Sequence, residues 1–186
     1  MPLDTHALPF GLRDVKLFPI DLADYSIGVG VDLPVAQTFS FSDTEDFETL
    51  KGDDTTVASR GQGPSVEWEL DSGGIPFEAY KIMAGGAIST SGTTPNQIKT
   101  FTKMATDSRP YFQVEGQAIS DSGGDVHCIV YRCIADDSLE GEFGNGAFFV
   151  TQASGHGYGD ILGNAPTGKL YEFVQNETAT AIDIGS

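Results

Sequence analysis

Residues 65–71 alternate without a break: Val66, Trp68 and Leu70 fall on one side, and Ser65, Glu67, Glu69 and Asp71 on the other. Successive side chains of a β-strand point to opposite faces. The run is therefore expected to bury Val66, Trp68 and Leu70 in a core and to show water a row of carboxylates, Glu67, Glu69 and Asp71. The surrounding chain makes that row more than ordinary surface. Against 27 acidic residues stand only 10 basic ones, a formal net charge of -17. Such a balance opposes tight binding to nucleic-acid phosphates or to anionic membrane surfaces.

The 186 residues suit one domain, with or without extended arms, and a hydrophobic share of 39% is enough for a core. Glycine, at 23 residues, exceeds its usual share of about 7% and falls mostly at turn-like positions, as in a many-stranded protein. No apolar run approaches the roughly 18 residues of a membrane-crossing helix. Residues 1–6 lack a basic stretch followed by an apolar one, so no secretory signal is expected. Cys128 and Cys133, five positions apart on one strand-like run, are expected to point to opposite faces as reduced thiols of a chain made in the cytoplasm. The glycosylation sequon Asn176-Glu177-Thr178 is then a chance match.

Residues 1–34, rich in proline and glycine, read as an arm with one or two short strands in residues 15–20 and 27–31. The remainder, 35–186, reads as a single domain ending in a tail from about residue 177. Val35, Gln37, Phe39 and Phe41 alternate with Ala36, Thr38, Ser40 and Ser42; the acidic stretch 43–56 follows, with the turn signal Gly52-Asp53-Asp54. Gly61-Gln62-Gly63-Pro64 is read as a hairpin turn leading into the opening strand. A helix is predicted over 75–84, with Pro76 in its first turn, Gly85-Gly86 past its end, and Ile75, Ala79, Ile82 and Met83 on one stripe. Strands are predicted over 96–105, 110–120, 126–135, 138–143, 147–154 and 170–175. Short strands at this spacing with one short flanking helix predict a mainly β fold, an antiparallel β-sandwich or partly closed barrel.

Catalytic and metal-binding patterns are weak. His6, His127 and His156 stand apart, and His127 and its neighbour Cys128 point in opposite directions on a strand. Residues 121–125 lack the remaining ligands of a calcium loop. Residues 155–160 lack the lysine and helix start of a phosphate cradle, and read as a surface loop. The pairs Asp53-Asp54 and Asp136-Asp137 could serve a glycosidase only across a cleft of about 5 to 9 Å. No enzyme, metal or cofactor is expected.

The central block is more telling. Phe47-Glu48-Thr49-Leu50-Lys51-Gly52-Asp53-Asp54-Thr55-Thr56-Val57-Ala58, then Gly63-Pro64-Ser65-Val66-Glu67-Trp68-Glu69-Leu70, then residues 74–86, resembles the major tail tube proteins of long-tailed, non-contractile phages, above all those of actinobacteria. Tyr111-Phe112-Gln113-Val114-Glu115-Gly116 and Leu139-Glu140-Gly141-Glu142-Phe143 fit the same family, so the resemblance spans about residues 40–180. It implies a β-sandwich with one helix, assembled as hexameric rings that stack into a tube in the virion after assembly in the host cytoplasm. The inner sheets would join around a lumen that holds the tape-measure protein and later carries DNA in transit; tail-tip and tail-terminator proteins would be the other partners, with no membrane contact. On this basis Glu67, Glu69 and Asp71 are expected to line the lumen. Glu45, Asp46, Glu48, Lys51, Asp53 and Asp54 are assigned to an inter-ring loop. The rival readings are a monomeric carbohydrate- or receptor-binding sandwich using Tyr111, Tyr131 and Phe149, a glycosidase, and the tube of a secretion system.

Overall fold

The computed structural model describes residues 6–161 and 167–185; residues 1–5, on which the reading of a missing secretory signal partly rests, lie outside them. Ten strands and one helix follow in the order β1 (Pro9–Pro19), β2 (Val31–Asp32), β3 (Ala36–Gly52), β4 (Thr55–Gly73), α1 (Phe77–Ala84), β5 (Ala87–Ser91), β6 (Ile98–Thr102), β7 (Phe112–Ser120), β8 (Asp125–Gly141), β9 (Val150–Gly157) and β10 (Tyr171–Asn176). The mainly β, antiparallel expectation holds, with β5 and β6 as a separate two-stranded ribbon.

The main sheet runs β2-β1-β7-β8-β9-β4-β3, with β10 also on β8, and does not close into a barrel. Its corner is β8. The first half of β8 lies between β7 and β10, from Ile119↔Asp125 and Asp125↔Asn176 onward, whereas its second half pairs with β9 from Cys133↔Gly157 to Gly141↔Thr151. Folding the sheet at β8 lays β3-β4-β9 over β1-β7. The core forms between these layers from Val15 and Leu17 of β1, Val66, Trp68 and Leu70 of β4, Phe112 and Val114 of β7, and Val130, Cys133 and Ala135 of β8. The Trp68 indole meets the Phe112 ring edge-on at 5.5 Å, a favoured aromatic geometry. Thus Val66, Trp68 and Leu70 are the core residues their alternation predicts.

Several sequence-based expectations change. The segment read as an arm supplies an eleven-residue strand, β1, laddered to β7 along its whole length, because Val15 and Leu17 close the core from below. Gly61-Gln62-Gly63-Pro64 is not a hairpin turn. It lies within β4 opposite a continuing β3, where Thr44↔Ser65 steps to Asp46↔Gln62; the extra residue is a β-bulge, with Gly63 at φ 63°. Residues 126–135 and 138–143 are not two strands but one β8, whose bulges absorb residues that would otherwise break the ladder. One of these bulges, at Tyr131–Arg132, shifts the in–out parity. Cys128 and Cys133 consequently both face the interior, and neither forms a disulfide. Burial raises the Cys128 thiol pKa to about 12 and raises that of Cys133 as well.

The helix starts later than predicted, at Phe77 after Pro76, and leaves Ile75 outside and exposed. Ala79, Ile82 and Met83 do form its buried stripe, and Gly85 ends it at φ 75° with its N–H donating to Lys81 O at 3.0 Å. Residues 155–157 are not loop but the end of β9. A Cβ on Gly155 would stand 2.0 Å from the Ile134 carbonyl oxygen, so only glycine lets β9 approach the bulged stretch of β8.

Candidate functional site: an acidic sheet face and a projecting hairpin

The outer face of β3-β4-β9-β8 is assembled by register. Thr38, Ser40 and Ser42 of β3 lie opposite Asp71, Glu69 and Glu67 of β4. Those three in turn face Gln152, Ser154 and His156 of β9. Beyond them β8 places Ser138 against Ser154 and Glu140 against Gln152. Glu67 and Glu69 are exposed and Asp71 is half-buried. The three expected carboxylates therefore share one solvent face, backed by the Trp68 layer.

Sequence reasoning missed the second row of acid. A bulge in β8 between Ile134 and Ser138 brings Asp136 and Asp137 to this face. There His156 uses its backbone N–H, at 3.1 Å, to donate to Asp136 Oδ1, while its Nδ1 lies 2.8 Å from the same oxygen. The Ser154 hydroxyl donates to Asp137 Oδ2 at 2.9 Å. The signal was present in the alternation Gln152, Ser154, His156, but the offset that aligns it with Asp136 and Asp137 depends on a bulge. Among these positions stands no lysine or arginine. A shallow hollow of about 530 Å³ opens at one end of the face beside Asp71, Glu140, Gln152 and Phe148. Among the described residues no group of three or more histidine, cysteine or carboxylate side chains is arranged to hold a metal.

No protein-family model and no curated protein matches the chain.

The residues assigned to an inter-ring loop form a β-hairpin rather than an irregular loop. Glu45, Asp46, Glu48 and Lys51 belong to β3, and Asp53 and Asp54 form its turn with φ values of 41° and 66°. Left-handed angles at both central positions suit a tight two-residue hairpin turn. The β4–β9 ladder begins only at Val66↔Gly157, so the hairpin beyond it pairs with nothing but itself. Seven residues from Asp46 to Gly52 reach roughly 20 Å from the body at about 3.4 Å per residue. Phe47, Leu50 and Val57 on this projection are exposed.

Between β3 and β10 the sandwich is open. Phe41, Tyr171 and Phe173 cluster there with ring centroids 5.2–5.9 Å apart. An apolar cleft of about 150 Å³ lies beside them, lined by Leu12, Phe39 and Cys128 among others. Tyr111, Tyr131 and Phe149, the aromatics considered for a binding face, do not gather. Tyr131 is buried and donates to Glu172 at 2.6 Å, Tyr111 carries the Arg132 guanidinium, and Phe149 packs on Phe143 before the start of β9.

Proposed function

We propose that this chain is a structural protein that polymerises through itself into stacked rings, hexameric by the resemblance, forming the tail tube of a long-tailed phage. The observation that carries the proposal is the four-strand face bearing Glu67, Glu69, Asp71, Asp136, Asp137 and Glu140 without a lysine or arginine among them, its one histidine, His156, being held by Asp136. Turned inward, such a face offers DNA no lysine or arginine, the side chains on which phosphate binding draws. Nor does it block passage, because two unit charges about 4 Å apart in water interact by only about 1 kcal/mol, and salt screens them beyond roughly 8 Å. The lumen would surround the tape-measure protein before DNA enters.

Two further features support self-assembly. The open margins at β3 and β10 leave unpaired strand edges, which a ring of subunits would close. The projecting hairpin carries Phe47, Leu50 and Val57 into solvent, and such apolar residues call for a partner surface, here the next ring.

Negative-stain electron microscopy of the purified protein, dilute and then concentrated, tests the proposal. Hollow tubes or stacked rings of one diameter are the expected result. A particle that stays monomeric at high concentration and binds glycans at micromolar strength would replace the proposal with the binding-module reading.

A further inference from the structure

On the opposite side of the molecule, the chain after β10 crosses the outer face of the second layer as an irregular strap, residues 177–185. Two points fasten it besides its polar centre: Ile182 is only 4% exposed, and the Gly30 N–H donates to Ile184 O at 2.8 Å. The polar centre is a buried cluster on β7 and β8. Asp125, 0% exposed, accepts hydrogen bonds from the Thr180 N–H at 2.8 Å, from Asn176 Nδ2 at 2.9 Å and from Gln117 Nε2. Gln117 Nε2 also donates to Thr180 O at 2.9 Å.

His127 sits in the middle with acceptors on both sides. Its Nδ1 lies 2.7 Å from Glu115 Oε1, and its Nε2 lies 2.9 Å from Thr180 O and 3.1 Å from Asp125 Oδ2. A neutral imidazole has one N–H and one lone pair. Only the imidazolium can donate at both nitrogens, and only the imidazolium balances the buried Asp125 and the half-buried Glu115 beside it.

We infer that His127 is a proton-controlled latch: its imidazolium holds the 177–185 strap against β7 and β8, and loss of that proton releases the strap and uncovers this face. Deprotonation leaves a ring lone pair facing either Glu115 or the Asp125–Thr180 pair, whichever tautomer forms. The ionisable groups against the ring are Glu115 from β7 and Asp125 from β8 itself; from β10 and the strap come the neutral Asn176 and Thr180. On the neighbouring strand Lys16 lies opposite Glu115 in register, but it is engaged by Asp14 at 3.0 Å and Asp32 at 3.3 Å.

The direction of the pH effect follows from the same contacts. Burial disfavours the charged ring, but the hydrogen bonds and charges of Glu115 and Asp125 outweigh it and raise the His127 pKa above 6.5. A raised folded-state pKa stabilises the closed strap fully below the open-state pKa, and that stabilisation is lost as the pH rises through the folded one. At the acid end, burial opposes ionisation of Asp125, but the donors from Asn176, Gln117, Thr180 and His127 hold its pKa below 3.8. The strap is therefore most secure between these limits.

Hydrogen–deuterium exchange of peptides covering 177–185, corrected for intrinsic exchange at each pH, tests the latch alongside NMR titration of the His127 ring. Protection should fall by up to about tenfold per pH unit from the open-state to the folded-state pKa and then level off, as expected for one linked proton. Glu115→Gln removes one facing carboxylate and should shift both the ring titration and the loss of protection to lower pH together. His127→Gln should abolish the step, and His156→Gln, on the opposite face, should leave it unchanged. Strap protection that stays flat while His127 titrates, or a step unmoved by Glu115→Gln, would overturn the inference.

Discussion

Trp68 is the largest fully buried side chain and joins the two layers through Phe112. Trp68→Ala removes that contact and leaves a cavity that neighbouring strands, laddered on both sides, cannot collapse to fill; a loss of about 3–5 kcal/mol is expected. Urea unfolding followed by circular dichroism measures it, and a loss under about 1 kcal/mol would mean that the layers do not meet at this residue. Gly155 is constrained differently, by backbone rather than by side chains. The alanine methyl of Gly155→Ala would meet the Ile134 carbonyl oxygen at 2.0 Å and the Ala135 Cα at 2.9 Å. Overpacking of this kind typically destabilises by about 1–3 kcal/mol. Thermal unfolding beside Ser154→Ala, which removes a hydroxyl and its solvent-side bond to Asp137, should show the glycine variant melting clearly lower.

At the scale of elements, the hairpin beyond Val66 contributes little to the body, since its strands pair only with each other. Replacing residues 46–61 with a short turn should leave a cooperatively folded monomer with a melting temperature close to the parent's, yet abolish tubes in electron micrographs. Tubes that still form would exclude the hairpin from the contact between rings. Its strands were only partly legible in the sequence. The alternation of residues 38–42 and 65–71, the helix stop at Gly85 and the turn at Asp53-Asp54 each depend on local chemistry and were readable, but a bulge between Ala36 and Thr38 breaks the expected alternation of 35–37, leaving Val35 and Gln37 exposed and turning Ala36 to the core. The bulges at Gly63-Pro64, Tyr131–Arg132 and Asp136-Asp137 were not, because extra residues are tolerated only where the partner strand runs past them. The single extra residue at Gly63-Pro64 and at Tyr131–Arg132 resets which side chains face inward, whereas the two extra residues at Asp136-Asp137 keep the parity of β8. The reset at Tyr131–Arg132 turns both cysteines inward, and the two-residue bulge pushes Asp136 and Asp137 out beside His156 and Ser154 on the acidic face. The strap was illegible for another cause: its irregular backbone has no periodicity, and Thr180 meets Asp125 and His127, neighbours on one face of β8, only through tertiary packing.

For the whole molecule, a net charge of -17 sets copies of the chain against one another, and the acidic face would concentrate that repulsion around a lumen. Assembly should therefore be promoted by salt, which shortens the screening length from about 30 Å at 0.01 M to about 10 Å at 0.1 M. Light scattering across that range gives the direction, and tubes that dissolve as salt is added would point instead to contacts made by ion pairs. The same face allows a sharper experiment. Glu67→Lys with Glu69→Lys leaves the buried side of β4 untouched, because both side chains are exposed, but puts phosphate-binding groups where the parent has none. Parent tubes should not retain duplex DNA. Tubes of the double variant should retain it, with an affinity that falls as salt rises by a logarithmic slope of about 0.9 for each phosphate contacted. The position of the bound DNA then decides the orientation of the sheet. Density within the bore would place Glu67 and Glu69 on the lumen wall, and DNA coating the exterior of hollow tubes would place them outside.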